Sequence, residues 1–96
     1  MDPITTIGDR MRTTPRLAGK TKDELARIAY GIVEGIEFLE MNDGNRLAYH
    51  LYLFLAGEIP SVATVIYEAK SRTPLHPKEL ERILLERLKA VGVNEG

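Results

Sequence analysis

Ninety-six residues, 44% of them apolar and 28% charged, describe one small folded domain and exclude a wholly disordered chain. The formal net charge of −1 gives no global field to draw in nucleic acid or an acidic membrane. With no Cys there is no disulfide framework, no thiolate metal site and no cysteine nucleophile.

Charge is uneven along the chain. Residues 1–22 carry Arg10, Arg12, Arg16, Lys20 and Lys22 against Asp2 and Asp9, a net +3. Residues 23–43 carry Arg27 against Asp23, Glu24, Glu34, Glu37, Glu40 and Asp43, a net −5. Pro3, Gly8, Pro15 and Gly19 interrupt residues 1–20, which show no helical period and read as a flexible, extended basic arm. The opening "MDPITTIGDRMRTTP" has no apolar core of the signal-peptide kind. No apolar run approaches the roughly 18–20 residues that cross a bilayer. The expectation is a soluble, cytoplasmic protein with no membrane partner. The chain has no Gln or Trp and only three Asn, while Glu, Arg and Lys are plentiful, a composition that leans toward a heat-adapted source.

The helical domain is predicted over 21–92. "TKDE" (21–24) is a capping box that opens a first helix over 21–40, with Leu25, Ile28, Ala29, Ile32, Ile36 and Leu39 on one stripe. Gly31 and Gly35, four apart beside that stripe, each cost about 1 kcal/mol relative to Ala in a helix interior. They point to a helix packed close against the backbone, an internal neighbour or a second subunit. "MNDGN" (41–45) reads as the turn that ends this helix. A second helix is predicted over 46–57, "RLAYHLYLFLAG". His50 is the only residue between Leu47 and Ala56 that is neither apolar nor Tyr, so the helix is expected to be buried all round. Either it is the hub of the fold or one of its faces meets another subunit.

Gly57 reads as a C-cap glycine and Pro60 as the first turn of a third helix over 60–72, with Val62, Val65, Ile66 and Ala69 inward. "TPLHP" (73–77) breaks the chain. A fourth helix over 77–91 carries Leu80, Ile83, Leu84, Leu88 and Val91 inward and pairs Arg82 with Glu86 at i,i+4 on its outside. Four helices with short links predict an all-α fold, a four-helix bundle or compact helical array, with an extended N-terminal arm.

Candidate chemistry is sparse. "AGKT" (18–21) ends like a phosphate-binding loop, but Thr14 stands where that loop needs Gly and no strand precedes it. His50 among Leu47, Leu51 and Phe54 reads as a core or interface histidine with one hydrogen-bond partner. His76 beside Pro77 reads as a helix-start residue. Glu34, Glu37 and Glu40 lie on the polar strip of the first helix, a solvated face without the shielded pocket that acid–base catalysis needs. Ser61 and Ser71 have no nearby base. No catalytic residue, metal ligand or cofactor is expected.

Two function classes remain. The first is a protein that works through contact with a protein partner or a second copy, with interface residues Gly31, Gly35, Phe38, Tyr49, Tyr52 and Leu53. The second starts from "AGEIPSVATVIYEAKSR" (56–72), which resembles the turn and recognition helix of small DNA-binding repressors and departs from them at Glu58 and Pro60. That resemblance implies nucleic-acid contacts from Ser61, Thr64, Lys70 and Arg72, with Arg10, Arg12, Arg16 and Lys20 of the arm on phosphates. The protein-contact class is the primary expectation, because the third helix carries little positive charge.

Overall fold

The structure is a computed structural model that describes residues 16–17, 19–36, 41–70 and 73–93. Among these residues there are four helices and no strand: α1 (Lys22–Val33), α2 (Met41–Leu55), α3 (Val62–Ala69) and α4 (Pro77–Ala90). Each helix packs on the next, and α4 returns to pack on α1. The fold is the all-α array that the helical periods predict.

The core is aliphatic with one large ring. Leu47, Leu51, Phe54 and Leu55 of α2 are fully buried in one cluster with Leu80, Leu84 and Leu88 of α4 and Val62 and Val65 of α3. Leu25, Ala29, Ile32 and Ile36 close the α1 side. Each buried Leu or Phe contributes about 1.5–3 kcal/mol relative to exposure, so α2, with the largest share, is the energetic hub.

Helix starts follow local chemistry. Thr21 caps α1: its hydroxyl accepts from the Glu24 N–H (3.2 Å), and the Glu24 carboxylate accepts from the Thr21 N–H (3.2 Å). Those bonds from Thr21, backbone first and hydroxyl second, hold the Glu24 carboxyl below its ordinary value. A carboxyl lowered by folding favours the folded state above its unfolded pKa, and the effect fades as pH falls through the lowered value. His76 caps α4, with Nδ1 accepting from the Lys78 N–H (3.1 Å), and Pro77 follows at the first helical position. On the outer side of α4, Arg82 bonds Glu79 and Glu86, an exposed network that stabilises little.

Three helices have bounds that differ from the sequence reading. The first helix stops at Val33 and does not reach residue 40. Glu34 turns extended and Gly35 takes φ +80°, a left-handed conformation that favours glycine. Residues 37–40, including Phe38, lie outside the described residues. "MNDGN" is the first turn of α2, which begins at Met41 and not at residue 46. Asn and Asp suit a helix N-terminus as well as a turn, and Asp43, buried there, sits at the positive end of the helix dipole. The third helix starts at Val62, with Ser61 as its N-cap and Pro60 outside it, and ends at Ala69 before a left-handed Lys70 (φ 51°).

Two arginines from distant sequence positions finish two helices. Arg87 Nη1 donates to Ile32 O and Glu34 O, both at 2.7 Å, and so caps the end of α1 from α4. Arg16 donates through Nη1 to Phe54 O (2.6 Å) and through Nη2 to Pro60 O (2.9 Å), with its guanidinium 4.0 Å from the Phe54 ring centroid. Ile32 O and Phe54 O are last-turn carbonyls of the kind that a helix end leaves without intrahelical partners, while Pro60 O lies in the link before α3. Arg87→Ala should lower stability by about 2 kcal/mol, the typical loss for charged hydrogen bonds to a part-buried acceptor. Urea unfolding measures it, and an unchanged midpoint would mean that water satisfies those carbonyls equally well.

Candidate interaction surface

The outer face of α2 is built by its sequence period. Leu47, Ala48, Leu51, Phe54 and Leu55 point inward, which leaves Met41, Asn42, Asn45, Arg46, Tyr49, Tyr52 and Leu53 on the opposite side. Met41 is 81% exposed and Tyr49 55%, while Tyr52 and Leu53 are half-buried. The expectation of burial on every side therefore needs correction. Among the described residues, this 15-residue helix packs on α1 and α3 and leaves its other side exposed.

The exposed side is aromatic and nearly uncharged. Tyr49 lies 6.5 Å from Tyr52 between ring centroids and meets His50 edge-on at 5.4 Å. His50 is half-buried at the margin of this face, and its Nδ1 is 2.9 Å from Arg46 O, one partner within its own helix. At the N-terminal end of the face, an open cleft of about 420 Å³ has Tyr30, Ile36, Met41 and Asn45 among its lining residues. Tyr30 is itself 48% exposed. An apolar floor with polar tips suits a protein surface better than it suits chemistry. Among the described residues, no three His, Asp or Glu side chains are placed to hold a metal ion.

The glycine pair does not behave as the sequence reading expects. Gly31 lies in α1 and Gly35 lies beyond its end, so the two do not share a helical face. A Cβ built at either meets nothing within 4 Å, so no neighbour among the described residues packs against their backbones. The apolar period continues through Gly35 although the helix has already ended at Val33. Gly31→Ala should therefore stabilise the fold by about 0.5–1 kcal/mol through helix propensity. Gly35→Ala should destabilise it, because φ +80° strains an L side chain. Opposite thermal shifts for the two variants are the expected readout. A destabilising Gly31→Ala would restore the packed-glycine reading.

The residues expected to meet nucleic acid are scattered among other tasks. Arg10, Arg12 and Arg72 lie outside the described residues. Arg16 is engaged at the α2–α3 corner, so its guanidinium is not presented to phosphate. Lys20 is 3.8 Å from Glu24 on the surface. Ser61 caps α3, and its hydroxyl shares a hydrogen bond with Thr64 Oγ1 (2.8 Å). Lys70 is exposed and ends α3. Sequence reasoning missed the capping arginines because each acts over a long separation, 38–44 residues for Arg16 and 53–55 for Arg87. Nothing in their local sequence marks that role.

Among the described residues, no helix is long and apolar enough to cross a membrane. No family model, curated protein or solved structure matches the chain.

Proposed function

We propose that this is a non-enzymatic helical protein that works through protein–protein contact, with self-association as the first form of that contact. The observation that carries this reading is the outer face of α2, where Met41, Tyr49, Tyr52 and Leu53 are exposed or half-buried and only Arg46 is charged. In a chain that is 28% charged, an exposed helical face with a single charge has the composition of an interface centre: aromatic and Met residues enriched, charged residues depleted. Light scattering across a concentration series tests it. A dimer or larger species at high micromolar concentration is expected, shifted toward monomer by Tyr49→Glu. A strict monomer throughout that range counts against self-association.

The second reading, nucleic-acid binding through α3 and the arm, has the α2–turn–α3 arrangement in its favour. Its electrostatic supply is thin, since α3 is eight residues long and carries Glu68 as its only charged residue. Titration of duplex DNA at low salt discriminates, because the phosphate term is strongest there. Absence of binding under that condition removes this reading.

A further inference from the structure

The single charge on the outer face of α2 is joined by a second, of opposite sign, just past the end of the helix. Arg46 stands one turn from the start, and Glu58 follows the helix. The Glu58 N–H donates back to Leu53 O (2.9 Å) while the Gly57 N–H donates to Phe54 O (3.1 Å), the paired bonds of a helix C-terminus that turn the backbone of Glu58 back onto the last turn at Leu53. On a helical wheel Arg46 and Leu53 lie on the same flank, seven residues apart. Both Arg46 and Glu58 are exposed. Among the described residues, neither side chain has an ion-pair partner. Between them lie Tyr49, Tyr52 and Leu53.

A stripe that is positive at one end, negative at the other and aromatic between is complementary to its own reverse. We infer that the partner on this face is a second copy of the chain, packed α2 against α2 in antiparallel sense about a two-fold axis at Tyr52. In this register Arg46 of each protomer faces Glu58 of the other, and the Tyr49–Tyr52 clusters stack across the axis. Antiparallel helices also oppose their dipoles favourably. A parallel pair would put Arg46 against Arg46 and Glu58 against Glu58. The isologous arrangement closes on itself, so it yields a dimer and not a filament. This inference rests on the self-association reading and adds the register to it.

Charge reversal tests the register. Arg46→Glu and Glu58→Arg should each weaken dimerisation, about tenfold or more in dissociation constant by sedimentation or light scattering. The double variant should recover most of the wild-type affinity, because the pairs are restored with reversed sign. A second test uses the absence of Cys in the chain. Tyr52→Cys, at the axis, should form a covalent dimer under mild oxidation. Asn42→Cys should not, because its two copies would stand roughly 30 Å apart along the helices. If the wild type is monomeric, the self-association reading itself fails. If the wild type is dimeric but the double reversal loses affinity additively, or Asn42→Cys cross-links faster than Tyr52→Cys, the register is overturned and self-association stands.

Discussion

Phe54→Ala should cost about 4 kcal/mol, the largest loss expected from any single substitution in this chain. Phe54 is fully buried on α2, and its ring also forms the surface under the Arg16 guanidinium. Truncation removes the transfer free energy of the ring and leaves a cavity in the buried core cluster, with the arginine above it unstacked. A domain of this size loses roughly 4–8 °C of melting temperature per kcal/mol. The variant should therefore melt on the order of 20 °C lower by circular dichroism. A shift of only a few degrees would mean that the core collapses to refill the space.

Arg16→Ala should cost about 3 kcal/mol, a large effect for a residue outside any helix. It removes two charged hydrogen bonds, to Phe54 O and Pro60 O, and the stacking on Phe54. The conservative variants separate the two capping arginines. At position 87 one nitrogen donates to both carbonyls, so an ammonium can take its place and Arg87→Lys should keep a good part of the stability. At position 16 two nitrogens of a planar fork reach two carbonyls while the plane lies on a ring, and Lys supplies neither fork nor plane. Arg16→Lys should thus be nearly as damaging as Arg16→Ala. Urea unfolding of the four variants checks this. Equal rescue by Lys at both sites would show that only charge matters. Because Arg16 and Phe54 touch, their Ala substitutions should also be non-additive by about 0.5–1 kcal/mol in a double-mutant cycle.

The interaction surface is partly legible from residue order. "RLAYHLYLFLA" has more apolar surface than a small array can cover, and Tyr49, Tyr52 and Leu53 stand out as the excess. Which side of the helix they occupy follows once the neighbours of α2 are known, because apolar content on all sides does not say where the core lies. Gly31 and Gly35 fail to share a helical face for a related reason. A period of 3.6 residues runs through Gly35 to Ile36, so the pattern continues where the backbone does not.

What the residues determine by themselves is local and short-range. Thr21 and Glu24 start α1, His76 and Pro77 start α4, and the spacing of Leu80, Leu84 and Leu88 orients α4, because each depends on partners within one or two turns. The all-α class follows from the same periods. Tertiary structure alone decided that α1 ends at Val33 under Arg87, that the α2–α3 corner is held by Arg16, and that α2 buries one side and exposes the other. A guanidinium finds carbonyls dozens of residues away only when the helices are already packed, and which face of a helix becomes surface depends on which side its neighbours take.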